Sequence, residues 1–245
     1  MACEGMDWRL LMSYSVAETG VGHLNSGRSQ PTDNGFQVLM VCTGNVARSP
    51  LAEQLFAAWA GTAFAAAGAP NILVASAGVR ALVGHDMTDD SRRVARHYGV
   101  DAVRHTARQL TPDLITASDL VLGANRAHRR FVVETQAKAS GKTFTLVEFA
   151  HVMRWLGAGQ GLVPQADPSA GAAVQLRAIR DAAARQRGMV PPPRDLSDFD
   201  ITDPYGAKAA VYDQVGVRIA ESVGTIVEVL QALTRRSAVP AASGG

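Results

Sequence analysis

"VCTGNVARSP", residues 41–50, joins an apolar run to a polar loop that closes on a proline. Phe36, Val38, Leu39, Met40 and Val41 lead into Cys42, and Gly44, Asn45, Arg48, Ser49 and Pro50 follow it. A run with so few polar positions predicts a strand buried on both faces, and hence a parallel sheet. Pro50 suits a first helical turn, after which Leu51, Leu55, Ala58 and Trp59 share one face. Cys42 therefore stands at the carboxyl end of a strand in a strand–loop–helix unit, where open α/β sheets bind their ligands.

The same alternation continues outward. Apolar runs at 71–76, 119–124 and 143–147 read as further strands, separated by helical stretches. Val94 and Tyr98 follow the polar start "TDDSRR", and residues 149–157 carry a helical pattern. A helix from Ala172 to Arg187 sets Val174, Leu176, Ile179 and Ala183 among arginines, and the last helix runs from about Lys208 to Leu233. Together these predict a doubly wound α/β fold with right-handed crossovers. "LVPQADPSAG" and "GMVPPPRDLSD" are breaks. The expected organisation is a disordered extension over 1–35, a single domain over 36–235 with an inserted helical segment at about 158–198, and a flexible tail over 236–245. A lid or a docking face for an acidic partner is one use for the insertion's Arg177, Arg180, Arg185 and Arg187, and a solvated helix packed by its apolar stripe is the plainer one.

Composition narrows the function. The chain has 245 residues, 47% of them hydrophobic, and a formal charge of only +2. That is enough for a full core and too little basic excess, too evenly spread, to argue for nucleic acid or an anionic membrane. Cys3 and Cys42 are the only cysteines. They supply no disulfide framework and no zinc spacing, so no metal is expected and the compartment reads as reducing and cytoplasmic. No run approaches the length of a membrane span, and the first 35 residues lack the pattern of a secretion signal.

The chemistry concentrates in two places. Between Cys42 and Arg48 the backbone N–H groups of Thr43, Gly44, Asn45, Val46 and Ala47 can wrap a tetrahedral anion at a helix N-terminus. The Arg48 guanidinium can grip two anion oxygens as a fork. The same positive surroundings favour a thiolate at Cys42, placed beneath a phosphorus it attacks. Gly44 allows a tight loop, Asn45 tolerates a left-handed conformation, and Ser49 can hydrogen-bond the sulfur. A buried apolar cysteine is the plain alternative, which these neighbours make the poorer reading. A thiolate that expels an alkoxide or phenoxide also needs a proton donor. "DITDPYG", residues 200–206, offers Asp203, held extended by Pro204, beside the aromatic ring of Tyr205.

Cys42-x5-Arg48-Ser49 near the start and Asp203-Pro204-Tyr205 near the end, together with "SAGV" at 76–79 and "RHTARQL" at 104–110, resemble the low-molecular-weight protein tyrosine phosphatases from about Phe36 to Leu233. The resemblance implies a four-stranded parallel sheet with helices on both faces. It implies hydrolysis of phosphotyrosine through a cysteinyl-phosphate intermediate, without cofactor. Cys42 would be the nucleophile, Arg48 the phosphate clamp and Asp203 the acid that later activates water. Asn45, Ser49, Ser76 and His105 would hold the loop and the sulfur. A tyrosine-phosphorylated protein, such as a bacterial tyrosine kinase, is the partner it suggests. This chain departs from the family in having Ala47 where many members carry a second cysteine, so no disulfide can form there to protect Cys42. Thr43, and Leu82 in place of an aromatic wall, leave Tyr205 as the main stacking surface. A thiol-dependent arsenate reductase on the same scaffold and a non-catalytic phosphoprotein-binding module are the alternatives.

Overall fold

The computed structural model describes residues 35–66, 69–163 and 171–238. The expected extension, apart from Gly35, and the stretches 67–68, 164–170 and 239–245 lie outside the described residues. Four strands, β1 (Gly35–Cys42), β2 (Asn71–Gly78), β3 (Leu120–Gly123) and β4 (Thr143–Thr145), form one sheet in the order β2-β1-β3-β4, every pairing parallel. Its helices are α1 (Arg48–Ala63), α2 (Asp89–His97), α3 (Pro112–Ala117), α4 (Arg126–Thr135), α5 (Leu146–Gly157), α6 (Ala172–Gln186) and α7 (Ala209–Ala238).

Burial on both faces explains why β1 reads as an unbroken apolar run. Phe36, Val38 and Met40 join one core with side chains from α1, α5, α6 and α7. Leu39 and Val41 point the other way, into a smaller core with Ile115 of α3 and Val132 of α4. Side chains of a strand alternate between faces, so a strand sandwiched by helices needs apolar residues at every position. β1 has neighbours on both edges, and Cys42 ends it at the crevice between the two halves of the sheet.

Local chemistry moves two boundaries. The expected strand 143–147 stops at Thr145, because Thr145 and Glu148 form a reciprocal capping box that starts α5 at Leu146. The last helix continues to Ala238, into the segment expected to be a tail.

The helix α6 takes up a place at the end of the sheet away from Cys42. α6 buries Ala173, Leu176, Ile179 and Ala183 but leaves Val174 45% exposed, one position off the buried stripe. Its Arg177 and Arg180 turn inward. Arg177 binds the Asp119 carboxylate (2.9 Å) and the Gly35 carbonyl (2.7 Å), and Arg180 donates to the Asp119 carbonyl (2.8 Å). Just beyond α6, Arg187 lies over the Phe144 ring at 3.7 Å and pairs with Glu148 at 3.0 Å. Gly35 and Asp119 stand at the amino ends of β1 and β3, so α6 closes the end of the sheet opposite Cys42 and is no lid over it. Of the four arginines singled out, only Arg185 is exposed.

Candidate active site

The loop after β1 is held from outside. The carbonyl of Cys42 accepts from Val79 N (2.9 Å), that of Thr43 from Arg80 N (3.0 Å), that of Gly44 from Leu82 N (2.9 Å) and that of Val46 from Thr88 N (2.8 Å). The Asn45 carbonyl accepts from His105 Nε2 at 2.8 Å. In a trans peptide the C=O and N–H groups point in opposite directions. With these carbonyls turned outward, the N–H groups line the concave side above Cys42. One of them, Asn45 N–H, donates to Cys42 Sγ at 3.3 Å. Ala47 caps α1 without a side-chain hydrogen bond, and the first turn of that helix carries no acid, so its N–H groups remain open to an anion.

Asn45 adopts the left-handed conformation (φ 56°) that the sequence suggested for it. Its side chain repays that strain with three bonds: Nδ2 donates to Ser49 Oγ (2.9 Å) and Ser76 Oγ (2.8 Å), and Oδ1 accepts from Arg108 N (2.9 Å). Gly44 has no positive φ, and a Cβ there would make only ordinary contacts, the nearest at 3.5 Å, so the expected need for glycine there is not what shapes the loop. Gly78 is the glycine the loop requires, because a Cβ on it would stand 2.5 Å from the Thr43 carbonyl.

Cys42 is buried, and its sulfur lies 2.9 Å from Ser49 Oγ. It opens into a cavity of about 150 Å3 lined by Thr43, Gly44, Val46, Ala47, Arg48, Arg80, Leu82, Asp203 and Tyr205 as well. Arg48 is 3% exposed; its guanidinium donates to the Ile201 carbonyl (3.1 Å) and to Thr43 Oγ1 (3.4 Å) and meets the Asp203 carboxylate at 2.5 Å. Asp203 and Arg48 are 155 positions apart, yet the residues before α7 carry the carboxylate to the cavity mouth, where its side chain is 48% exposed. Tyr205 stands beside it, 60% exposed, and its backbone N–H donates to Asp203 Oδ1 at 3.3 Å.

All the site residues expected from the sequence thus assemble in one place. Cys42, Thr43, Gly44, Val46, Ala47, Arg48, Asp203 and Tyr205 line the cavity, while Asn45, Ser49, Ser76 and His105 brace the loop from behind. Sequence reasoning missed several neighbours. Glu53, whose carboxyl burial pushes upward, accepts from Ser76 Oγ at 2.5 Å; Arg80 sits on the rim; and His128 touches Thr43. The helical spacing of Glu53 within α1 was the one available signal. Burial also lowers His105, which is consistent with a neutral ring donating to Asn45 O. Among the described residues no group of histidine, cysteine, aspartate or glutamate side chains is placed to hold a metal ion.

This geometry is a thiol under a cage of N–H groups, with a guanidinium alongside and a carboxylate at the mouth. Residues 37–188 match the family described as Low molecular weight phosphotyrosine protein phosphatase. The chain belongs to this family. A Probable low molecular weight protein-tyrosine-phosphatase AmsI from Erwinia amylovora is 36% identical over 106 residues, 43% of this chain and 67% of that protein. A Protein-arginine-phosphatase from Geobacillus stearothermophilus is 32% identical over 146 residues, 60% of this chain and 87% of that protein. Among solved structures, a Low Molecular Weight Protein Tyrosine Phosphatase from T. tengcongensis superposes with a TM-score of 0.53 at 25% identity, covering 79% of this chain and 98% of the other. Asp203 lies beyond the matched residues, so its place at the cavity rests on the geometry.

Proposed function

We propose that the chain hydrolyses phosphotyrosine in proteins by double displacement, using Cys42, Arg48 and Asp203. The observation that carries this reading is one cavity with a buried sulfur at its floor, a buried guanidinium at its side and a half-exposed carboxylate at its mouth. An incoming phosphoryl group takes the place of the Asp203 carboxylate on Arg48 and accepts from the loop N–H groups. The Cys42 thiolate attacks phosphorus, the bond to the phenolic oxygen breaks, and protonated Asp203 gives its proton to that oxygen. In the second step water attacks the cysteinyl phosphate, Asp203 takes a proton from the water, and the sulfur leaves as a thiolate. Ser49 Oγ, 2.9 Å from the sulfur, then donates to the developing charge. Tyr205 and Leu82 give the substrate ring an apolar wall.

A tyrosine-phosphorylated protein in a cytoplasmic, reducing setting suits a thiol with Ala47, not a second cysteine, beside Arg48. No helix among the described residues is long and apolar enough to cross a membrane. The Geobacillus stearothermophilus relative gives a second reading, phosphoarginine, whose guanidinium would meet the Asp203 carboxylate. Phosphate release from matched phosphotyrosine, phosphoserine and phosphoarginine peptides, and thiol-dependent reduction of arsenate, separate these readings. Release from phosphotyrosine with a phosphocysteine trapped on acid quench is expected. Replacing Asp203 with asparagine should then slow turnover of the phenolic ester by about 10²–10⁴, and Cys42→Ser should abolish it. Undiminished release by Cys42→Ser overturns the assignment.

A further inference from the structure

His128 sits in the first turn of α4, where the Asn125 side chain caps the helix by accepting His128 N–H at 3.0 Å. Its ring is buried, yet two contacts lead from it into the cavity. Nε2 lies 3.0 Å from Thr43 Oγ1, and Thr43 Oγ1 lies 3.4 Å from Arg48 Nη2, the nitrogen that also meets Asp203. Among the described residues, Nδ1 of His128 is buried without a hydrogen-bond partner. The Thr43 hydroxyl therefore flanks the spot where an oxyanion would meet Arg48, and among the described residues the only other group it bonds is this ring.

A threonine hydroxyl has one proton and two lone pairs. Arg48 Nη2 occupies one lone pair. If the ring accepts the hydroxyl proton, Nδ1 must carry a hydrogen that meets nothing, and the hydroxyl turns a bare lone pair toward a bound anion. If the ring donates Nε2–H, both lone pairs of Thr43 are filled and its proton is free for the cavity. Only an acceptor is then left unmet at Nδ1, and orphaned buried N–H groups are the rarer kind. Resting on the reading of the cavity as a phosphoryl site, the geometry points to His128 as a positioning residue whose Nε2–H holds Thr43 so that the Thr43 hydroxyl donates to a phosphoryl oxygen beside Arg48. The ring is neutral at working pH, as this arrangement needs. Burial first, and the Arg48 charge second, bring it down to about 4, against the opposing pull of Asp203 and Asp200.

Inorganic phosphate, used as a competitive inhibitor of phosphotyrosine hydrolysis, reports on that hydroxyl directly. Thr43→Val and His128→Phe should each raise the inhibition constant about tenfold, the size expected for a hydrogen bond to a charged group. His128→Gln, which keeps an N–H near the Nε2 position, should recover most of the affinity. The double variant should bind phosphate no worse than either single one, because both remove the same bond. Ring nitrogen shifts of His128 in the unaltered protein, assigned by their loss in His128→Gln, should show a neutral Nε2–H ring. An unchanged inhibition constant in Thr43→Val, a neutral Nδ1–H ring, or losses that add in the double variant would each overturn the proposal. An unaltered protein that neither hydrolyses phosphotyrosine nor binds phosphate would instead sink the phosphatase reading itself.

Discussion

Gly78→Ala puts one methyl group where the structure has no room for it. Gly78 ends β2 directly opposite Cys42 in the sheet register. A Cβ there would lie 2.5 Å from the Thr43 carbonyl oxygen and 3.0 Å from both Asn45 N and Ala81 Cα. These are all backbone atoms, so no side chain can swing aside. Restoring an ordinary contact of 3.4 Å requires a displacement of 3.4 − 2.5 = 0.9 Å. The peptide that must yield is the one joining Thr43 to Gly44, the second after the nucleophile, and its shift carries the Gly44 N–H out of the cage. A misplacement near 1 Å costs on the order of 10² in rate, and overpacking costs about 1–3 kcal/mol in stability. The expected result is kcat/KM on a phosphotyrosine peptide down about 100-fold, and a Tm lower by about 2–4 °C for each kcal/mol lost. Gly61 in α1, with nothing within 4 Å of its would-be Cβ, is the control. Gly61→Ala should leave turnover alone and stabilise by about 0.5–1 kcal/mol. A Gly78→Ala protein with unaltered turnover and Tm would refute the argument that this contact sets the loop.

Stability should also fall in acid through His128. Its folded value of about 4 lies below the ordinary 6.5, so the unfolded chain takes up the proton first. The contribution is complete above about pH 6.5 and is lost as pH drops toward 4, by up to about 3 kcal/mol at 1.36 kcal/mol per unit. Denaturant titrations at pH 7 and 4.5 should show the loss, and the same slope in His128→Gln would count against it. Asp119→Ala removes the acceptor for Gln37 N and Arg177 Nε, both at 2.9 Å, at the end of the sheet remote from the cavity. It should cost about 1–3 kcal/mol in equilibrium unfolding with kcat unchanged; a matching fall in kcat would contradict the separation of the two ends. Ser49→Ala should slow breakdown of the cysteinyl phosphate about tenfold, so that quench-flow finds phosphoenzyme accumulating. Absence of that accumulation, with turnover intact, would remove Ser49 from the second step.

The sequence by itself determined what is local in this protein. Strands buried on both faces, the amphipathic helices, the Cys42–Ser49 loop and the capped start of α5 all follow from residues within a turn or two of one another. There the spacing of apolar side chains and the preferences of single residues decide the outcome. The capping box at Thr145 and Glu148 belongs to that class as well, although reading 143–147 as one strand passed over it. Only the tertiary structure decided which distant segments converge. The carbonyls of the loop are tied by residues 79–82, 88 and 105, Gly78 makes way for the Thr43 peptide, Asp203 arrives from 155 positions beyond Arg48, and His128 reaches Thr43 from α4. Arg177 and Arg180 of α6 pair with Asp119 and Gly35 at the far end of the sheet instead of facing a partner. Those meetings depend on the order in which strands pack and on shared burial around one sheet. No periodicity within a single segment encodes either.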